Sequence, residues 1–379
     1  MLILGAGPSG LVLANLLQRG GIDCVVLERS GQASLAERAR AGYLAPETVR
    51  TLERHGLADG LLRHGTRHDS CEFRTEAGRF RLDYGSLGEP HTVYPQQELV
   101  ADLLAAYQAA GGQIRFGVEA LAVHDADGPR PWVSARSAEG APVRWEARYV
   151  AGCDGRHGAA RRSLPPGATS LRRDHGASWL ALLAEAPPSL DAVAYAVHPR
   201  GFAGHMARTP QLTRYYLQCE QGLEAWPEER IWAELRLRLG AERYGPLNEG
   251  PITQRALVTL ESDVLETLRH GSLLLAGDAA SLISPSAAKG ANLAVLAAEL
   301  LAEALIDALA HGDATALDRY SERCLGRIWR AQEFSRWMVR LLHPDRSSAF
   351  DERLRRSRLE SLRTSRSFQG WFAEHYVGI

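Results

Sequence analysis

The chain has 379 residues, of which 45% are hydrophobic and 23% are charged, and its formal net charge is −1. This length allows two domains or one elaborate domain of an ordinary globular protein. The near-neutral charge gives no reason to expect nucleic acid or an anionic membrane as a partner. The five cysteines are odd in number and lack metal-ligand spacing, so we expect a reducing compartment, no disulfide framework and no metal site.

The first residues predict a buried strand, a tight turn and the start of a helix. Gly5, Gly7 and Gly10 interrupt an apolar run with the spacing Gly-x-Gly-x-x-Gly. One such glycine makes the turn, one lets a pyrophosphate approach the backbone, and one lets the helix pack on the strand. A second predicted strand, residues 24–28, ends in Glu28, whose carboxylate can bind the ribose of an adenosine. The unit indicates a dinucleotide site; the alternative is a glycine-rich turn in another α/β fold.

Arg38 and Arg40 follow this unit, where they would contact a phosphate or would be ordinary solvated loop arginines. The next predicted elements are a helix at 46–56, a strand at 69–80, a helix at 96–111, strands within 113–124 and a strand at 145–152. The last strand leads into Asp154-Gly155. An acid and a glycine at the end of a strand can approach a bound cofactor closely, although the same pair also occurs in ordinary tight turns.

Residues 178–220 predict successive strands separated by turn residues. The four segments are 179–184, 192–198, 201–207 and 213–219. We expect them to form an antiparallel sheet inserted into the dinucleotide domain as a platform for a substrate. A helix is predicted at 226–238.

A further buried strand ends in Gly277-Asp278 and leads through a glycine-bearing loop into a long helix from Ala294. This second strand–loop–helix unit offers another site for an anionic group, so we expect a long cofactor that spans both units. A polar stripe on the helix argues against a membrane span; it consists of Glu299, Glu303 and Asp307. Helical segments follow at 315–342 and 351–370. Because the chain starts with its first predicted strand, we expect no signal peptide and a cytoplasmic location.

Taken together, the glycine motif of residues 5–10, Asp154-Gly155 and Gly277-Asp278 resemble the fingerprints of the FAD-dependent aromatic hydroxylases, the single-component flavoprotein monooxygenases. The likeness covers essentially the whole chain and is strongest towards the members that act on 4-hydroxybenzoate. It implies FAD as cofactor, a transiently visiting NADH or NADPH as co-substrate, and hydroxylation by O2 of a small aromatic acid ortho to its phenol. The resemblance also allows a homodimer.

Three alternatives stay open at this point. One is a hydroxylase of a substituted, for example amino-substituted, hydroxybenzoate in secondary metabolism. Another is a flavin-holding protein without hydroxylase activity. The third is an NAD-dependent dehydrogenase, against which the Asp-Gly and Gly-Asp fingerprints argue.

The implied fold is α/β: an FAD-binding Rossmann-like domain of the glutathione-reductase type, with an inserted antiparallel β-sheet substrate domain and a C-terminal helical region. The expected FAD-binding domain is discontinuous and comprises residues 1–70, 95–177 and 265–310. The expected substrate domain comprises residues 71–94 and 178–264, and the helical region comprises residues 311–379.

The resemblance also implies roles for individual residues. Contacts with FAD are implied for Gly5, Gly7, Gly10, Glu28, Arg40, Gln96, Asp154, Arg214, Asp278, Lys289, Gly290 and Asn292. Contacts with the nicotinamide coenzyme are implied for Arg29, Arg38 and His157. Contacts with the carboxylate and ring of the substrate are implied for Met206, Arg208, Tyr216 and Ser286.

Four further residues would act on the substrate phenol. Tyr195 would accept its hydrogen bond and help to deprotonate it, Tyr376 would relay the proton, and His68 would pass it to water. Pro285 would offer its carbonyl oxygen to the same phenol. A phenolate is a much better nucleophile than a phenol, which is why the reaction needs an acid–base relay.

The chain departs from the family pattern at a few positions. Met206 stands where the 4-hydroxybenzoate enzymes have a serine that donates to the substrate carboxylate, which predicts a pocket reshaped for a differently substituted ring. Ser30 and Ser34 replace a glutamine and a tyrosine, and Glu261 replaces an arginine. Because an anion there should disfavour the additional phosphate of NADPH, we expect NADH to be preferred.

Overall fold

The computed structural model describes residues 1–36, 42–86, 89–219, 225–343 and 348–378. The N-terminal apolar run is an inner strand of a six-stranded sheet. From one edge to the other, its strands are β18 (Arg269–His270), β19 (Leu273–Leu275), β12 (Val150–Gly152), β1 (Leu2–Leu4), β2 (Val25–Glu28) and β8 (Gln113–Phe116). Neighbouring strands are parallel, apart from the antiparallel outermost pair of β18 and β19.

The order of these strands reverses at β1. The chain places β2 and β8 on one side of β1 and later returns with β12 and β19 on the other side. In open parallel sheets, the carboxyl ends of the strands at such a reversal leave a crevice where ligands bind. The fold therefore puts a ligand crevice beside the glycine motif that follows β1.

Apolar helices pack on this sheet because its strands are buried and need cover on both faces. The three principal ones are α1 (Pro8–Arg19), α5 (Gln96–Ala109) and α9 (Gly290–Ile306), the last continuing as a π-helical turn over Asp307–His311. The other helices described before residue 245 are α2 (Gln32–Ala36), α3 (Pro46–Arg54), α4 (Asp59–His64), α6 (Ala159–Arg162), α7 (Glu228–Leu239) and α8 (Ala241–Tyr244). The long helix predicted from Ala294 thus begins one turn earlier, at Gly290.

The predicted polar stripe of α9 is wrong at Glu299, which is only 8% exposed. Arg54 Nη2 lies 2.7 Å and His55 Nε2 lies 2.8 Å from Glu299 Oε1, so partners on and just after α3 stabilise the buried carboxylate. These contacts and the burial of Glu299 are tertiary effects, which helical periodicity alone does not reveal. Among the described residues, no helix combines the length and apolar character needed to cross a bilayer.

A second sheet has eight strands. In spatial order they are β20 (Ser281–Leu282), β17 (Ile252–Leu265), β13 (Ser170–Ala184), β16 (Leu212–Cys219), β15 (Ala203–Thr209), β14 (Val193–Ala196), β5 (Ser70–Thr75) and β6 (Gly78–Asp83). Neighbouring strands are antiparallel except β14 and β5, which are parallel and lie far apart in the sequence. The four strands predicted within residues 178–220 are all present, and the predicted α/β architecture with an antiparallel sheet and C-terminal helices is confirmed.

The two faces of the eight-stranded sheet belong to different cores. Alternation along β14 sends Ala194 and Ala196 into a core shared with α7, whereas Tyr195 enters a core shared with the C-terminal helices. These helices are α10 (Thr315–Asp318), α11 (Tyr320–Leu342), α12 (Ala349–Thr364) and α13 (Arg366–Val377). Tyr376 on α13 lies in the same core as Tyr195.

Two three-stranded sheets complete the fold. One has the order β11 (Pro142–Glu146), β10 (Trp132–Arg136), β9 (Glu119–His124), and the other has the order β3 (Tyr43–Leu44), β7 (His91–Val93), β4 (Thr66–His68). The single strand predicted at 145–152 is wrong, because this stretch contains the end of β11 and all of β12. Residues of β11 alternate between exposed and partly buried, whereas those of β12 are all buried, so the two strands belong to different sheets.

Candidate active site

Three glycine-bearing loops meet at the carboxyl ends of β1, β12 and β19. A Cβ atom on Gly5, whose φ is +96°, would lie 2.6 Å from the Cys153 carbonyl oxygen that follows β12. A Cβ on Gly10 would lie 2.0 Å from the Gly5 carbonyl oxygen, and one on Gly277 would lie 3.0 Å from Ser9 Cβ. Side chains at these positions would push the loops apart. The three fingerprints therefore form one site.

Gly7 differs from its neighbours because nothing in the described part of the protein requires a glycine there. Its φ is −75°, which any residue adopts, and no atom of the described chain lies within 4 Å of the place of its Cβ. This open space lies at the N-terminus of α1, where free N–H groups and the helix dipole favour a phosphate. The loop thus fits the pyrophosphate of FAD.

Two carboxylates flank the glycine motif. Glu28 is 4% exposed; its Oε2 accepts a hydrogen bond from Ala6 N at 2.8 Å and its Oε1 accepts one from Ser30 N at 2.9 Å. Each oxygen keeps a lone pair that a ribose hydroxyl can use. Asp154 Oδ2 accepts from Ala160 N at 3.1 Å, while its buried Oδ1 lacks a partner within the described ranges, and burial raises the pKa of this carboxyl.

The start of α9 is tied to the end of the chain and to β3. The Lys289 ammonium is 1% exposed and donates to the carbonyl oxygens of Tyr376, at 2.8 Å, and of Gly378. Burial lowers the pKa of Lys289 to about 7. The Asn292 amide donates to the carbonyl of Tyr43 at 3.0 Å and its oxygen accepts from Ala45 N at 2.8 Å. Asn292 therefore fastens β3 to α9 through its side chain.

Three more residues expected around FAD lie in or at the start of separate elements. Gln96 is the first residue of α5, Asp278 lies in the 3₁₀ turn Gly277–Ala279, and Gly290 begins α9. Arg40, like Arg38, lies outside the described residues.

Five side chains expected at the substrate or flavin share one face of the eight-stranded sheet. In the register of β14, β15 and β16, Tyr195 pairs with Gly204, which pairs with Tyr216, and Met206 pairs with Arg214. Arg208 lies two residues further along β15, where the register shifts between Ala207 and Thr209. Its guanidinium is nevertheless on this surface, because Arg214 and Tyr216 are the neighbouring groups that act on its pKa. Sheet geometry therefore brings the expected phenol contact and the expected carboxylate contacts onto one surface.

The two arginines on this surface are buried, and some of their N–H groups have no hydrogen-bond acceptor among the described residues. Arg208 and Arg214 are 3% and 5% exposed. Arg208 Nη2 donates to Gln97 Oε1 at 2.5 Å, but Nε and Nη1 of Arg208 and Nε and Nη2 of Arg214 have no partner in the described part of the chain. Burial and the neighbouring Arg214 lower the pKa of Arg208 to about 10. A carboxylate would satisfy these donors and neutralise the charge.

Tyr195 and Tyr376 form a hydrogen-bonded pair. Their hydroxyl oxygens are 2.6 Å apart, and burial raises the pKa of both hydroxyls well above the ordinary value for tyrosine. The pair is therefore protonated at neutral pH and can pass a proton along its hydrogen bond. His68 on β4 is 5% exposed, burial lowers its pKa, and no hydrogen bond between described atoms joins it to Tyr376.

Pro285 and Ser286 lie in the 3₁₀ turn Pro285–Ala287. The Pro285 carbonyl oxygen accepts from Ala288 N at 3.0 Å and keeps one lone pair. The Ser286 hydroxyl donates to the Ser335 carbonyl oxygen at 3.1 Å. This bond holds the turn against α11, a structural role that the sequence did not indicate.

Two of the three residues expected to contact the nicotinamide coenzyme are described, and both lie on the surface. Arg29 and His157 are exposed, as a transient visitor requires. Glu261 forms an ion pair with Arg156, so its negative charge is matched within the protein. This partner weakens the electrostatic argument for NADH that the sequence suggested.

Sequence reasoning missed several residues of this region. Gln97 and Arg156 carried a weak signal, since each adjoins a residue that was singled out. Tyr43, Tyr84 and His91 lie in or just after short strands, and no motif marks them.

Comparisons with known proteins agree with this arrangement. Residues 1–335 match the family model described as FAD binding domain. The chain is 37% identical to p-hydroxybenzoate hydroxylase of Acinetobacter baylyi, an alignment that covers 100% of this chain and 94% of the relative. It is 30% identical to a 3-amino-4-hydroxybenzoate 2-monooxygenase of Streptomyces platensis, covering 88% of this chain and 86% of the relative.

Among solved structures, p-nitrophenol 4-monooxygenase from Pseudomonas putida superimposes with a TM-score of 0.84 at 20% identity, covering 100% of this chain and 98% of that one. This likeness concerns the fold. The family match, which takes in the glycine motif and both downstream fingerprints, agrees with the open space at Gly7. The chain belongs to the FAD binding domain family and is an FAD-dependent aromatic hydroxylase.

Proposed function

We propose that this protein hydroxylates a small aromatic acid of the 4-hydroxybenzoate type ortho to its phenol, using O2 and NADH or NADPH. The observation that carries the proposal is the shared sheet face with two buried arginines and the Tyr195–Tyr376 pair. One end of this face suits a carboxylate, and the other suits a phenol. The 37% identity to a p-hydroxybenzoate hydroxylase over the full chain supports this choice of substrate class.

In this proposal the protein holds FAD along the crevice beside β1. Gly5, Gly7 and Gly10 leave room for the pyrophosphate, Glu28 binds the adenosine ribose, and Asp154 lies beside the cofactor. Asp278 contacts the ribityl chain, and residues 289–292 with Arg214 lie near the ring system; Gln96 and Arg40 contact the adenosine side. Bound FAD, once reduced by the nicotinamide coenzyme, supplies the oxygen-activating chemistry.

The proposed role of the sheet face is to orient the substrate. Arg208 pairs bidentately with the carboxylate, and Tyr216 donates to it. Tyr195 accepts the phenol proton as its own proton moves to Tyr376, and the Pro285 carbonyl oxygen holds the phenol from another side. Ionisation makes the ring more electron-rich and therefore more reactive towards an electrophilic oxygen.

A second candidate substrate is a hydroxybenzoate with a further ring substituent, such as an amino group. Met206, 6% exposed, offers no donor where the 4-hydroxybenzoate enzymes have a serine, and a flexible thioether adapts to a changed ring. The 30% identity to a 3-amino-4-hydroxybenzoate 2-monooxygenase over 88% of the chain supports this candidate.

We further propose that Arg29, His157 and Arg38 contact the visiting coenzyme. We also propose that the FAD-binding and substrate-binding domains have the boundaries expected from the sequence. The odd number of cysteines supports a reducing compartment such as the cytoplasm.

The test is a screen of hydroxybenzoates and aminohydroxybenzoates with the flavin-loaded protein. A true substrate should perturb the flavin absorption spectrum, accelerate NAD(P)H oxidation and yield a product that contains one more oxygen atom. Stimulated NAD(P)H oxidation without an oxygenated product from any such acid would contradict the proposal, as would a flavin-loaded protein that no phenolic acid stimulates.

A further inference from the structure

Three polar side chains that the proposed reaction does not use lie against the ring of Tyr376. The ring centroid of Tyr376 is 5.1 Å from that of His91, 5.2 Å from that of Tyr84 and 6.2 Å from that of Tyr43. We call Tyr43, Tyr84 and His91 the tyrosine–histidine cluster. Each is at most 2% exposed, so its polar atoms need partners inside the protein.

Within the cluster the tyrosines satisfy each other, whereas the histidine is left with an open nitrogen. The Tyr43 and Tyr84 hydroxyl oxygens are 2.5 Å apart, and the Tyr43 ring stacks on His91 with centroids 4.2 Å apart. The His91 imidazole hydrogen-bonds the backbone of Tyr376, but its buried Nδ1 has no partner among the residues described. With the other ring nitrogen bonded to the backbone, this Nδ1 is the atom of His91 that can accept a proton.

A second open imidazole lies next to the first. His68 on β4 is directly opposite His91 on β7 in antiparallel register, so both side chains leave the small sheet on the same face. The buried Nδ1 of His68 also lacks a partner within the described ranges. Because Thr66 and Arg67 at the start of β4 are exposed, His68 is one residue from solvent along its strand.

We propose that His91 takes the proton of Tyr376 and passes it to His68, so that two neighbouring imidazoles complete the path from the substrate phenol to water. This inference rests on the proposed function, since it presumes that the Tyr195–Tyr376 pair carries the phenol proton. His91 acts through Tyr376 and does not contact the substrate itself.

The transfer moves one proton and changes no oxidation state. The phenol O–H bond breaks and its proton goes to Tyr195, whose own proton goes to Tyr376. The proton of Tyr376 then goes to Nδ1 of neutral His91, directly or through one water molecule. The resulting imidazolium loses that proton to Nδ1 of His68, from which it reaches water.

The electrostatic surroundings of His91 favour passing a proton on rather than holding it. Burial, and next the positive charge of Lys289, hold the pKa of His91 well below its ordinary value, so a charged ring is short-lived. Within the described chain, the groups that face His91 are Tyr43, Tyr84, Tyr376, His68 and Lys289, a set without an anion that would trap the proton.

Proton release on ligand binding tests this path without turnover. Flavin-loaded protein is mixed rapidly with saturating 4-hydroxybenzoate in weak buffer that contains a pH indicator, which reports the proton leaving the bound phenol. His91→Gln keeps an N–H for the Tyr376 backbone but cannot take up a proton. We expect release to be roughly 10- to 100-fold slower, with flavin content and 4-hydroxybenzoate affinity retained. His68→Gln should slow release similarly.

His205→Gln is the matched control. His205 is 1% exposed and its Nδ1 also lacks a partner in the described part of the chain, but its ring packs on Tyr215 in the core on the other face of the sheet. This variant should release the proton at the unaltered rate. Slow release here would mean that the assay reports a general loss of packing, and the assignment of His91 would fall.

The outcomes separate this inference from the proposed function. Unaltered release from His91→Gln, together with slow release from Tyr376→Phe, would overturn the role of His91 and leave the tyrosine relay intact. Proton release at the unaltered rate from His68→Gln would overturn the step from His91 to His68. If His91→Gln loses its flavin, the release rate of His68→Gln decides whether the histidine path exists. No release from the unaltered protein, or unaltered release from Tyr376→Phe, would overturn the relay itself and the histidine path with it.

Discussion

Arg208 on β15 and Arg214 on β16 lie close enough for the charge of Arg214 to act on Arg208, and each guanidinium is buried with donors that have no partner among the described atoms. Two buried like charges are costly unless an anion lies beside them, and burial together with Arg214 lowers the pKa of Arg208. A carboxylate ligand relieves both the repulsion and the open hydrogen bonds. This relationship makes an aromatic acid a better candidate ligand than an uncharged phenol.

Arg208→Met should therefore weaken the binding of 4-hydroxybenzoate by roughly 10- to 100-fold, because a hydrogen bond to a charged group contributes about 1.5–3 kcal/mol. Titration of the flavin absorbance measures the affinity. Phenol, which lacks the carboxylate, is the control ligand and should bind the variant no more weakly than the unaltered protein. Equal weakening of both ligands would exclude Arg208 as the carboxylate anchor.

Gly7→Val should produce a folded but colourless protein. The backbone at Gly7 tolerates a side chain, so the added bulk obstructs only the space assigned to the pyrophosphate. Gly167→Val is the matched control, since its Cβ also meets no atom of the described chain within 4 Å, and this variant should keep its flavin. Full flavin content in Gly7→Val would show that the loop does not hold the cofactor.

Tyr195→Phe and Tyr376→Phe should each retain FAD but form product roughly 10- to 100-fold more slowly, with NAD(P)H oxidation uncoupled from hydroxylation. The reason is that either change breaks the hydroxyl pair through which we propose that the phenol loses its proton. The measurement is product formed per NAD(P)H consumed. Tyr320→Phe serves as a control, because this buried hydroxyl donates to the Leu275 carbonyl and lies in the core of the six-stranded sheet. If coupling is unchanged in both relay variants, the tyrosines have no part in the mechanism.

Glu261→Gln and Glu261→Arg should both improve the use of NADPH relative to NADH, because they release Arg156 from its ion pair or add a second cation. Glu261 and Arg156 are 33% and 23% exposed in their side chains, so solvent screens the effect and a roughly three- to tenfold change in the ratio of kcat/KM values is expected. The change should shrink at high salt. A ratio that stays constant in both variants would place Glu261 away from the coenzyme.

Met206→Ser should tighten the binding of 4-hydroxybenzoate by roughly tenfold and weaken the binding of a substrate with a further ring substituent. A serine would offer a donor to the carboxylate and would remove the thioether that, in our proposal, packs against the substituted ring. Flavin titration with 4-hydroxybenzoate and 3-amino-4-hydroxybenzoate compares the two ligands. Micromolar binding of 4-hydroxybenzoate by the unaltered protein, with no change in Met206→Ser, would favour the simpler 4-hydroxybenzoate hydroxylase.

The family and the FAD fold were predictable from the amino-acid sequence because their signals are local. A glycine is needed where a turn is tight or where two loops touch, so Gly5, Gly10 and Gly277 mark such points within a few residues of their strands. Strand alternation likewise predicted the four strands between residues 178 and 220. These features depend on backbone geometry and on the period of side-chain burial, both of which a short window of sequence contains.

The tertiary structure alone decided which distant side chains share an electrostatic environment. The Tyr195 and Tyr376 hydroxyls meet across 181 positions of sequence, Glu261 finds Arg156 across 105, and His91 lies beside Tyr376 although no motif marks it. Ion pairing, open donors and shifted pKa values arise from desolvation and from neighbours in space. For this reason the sequence predicted an anion at Glu261 but not its partner, and a relay that ends at His68 but not the imidazole beside it.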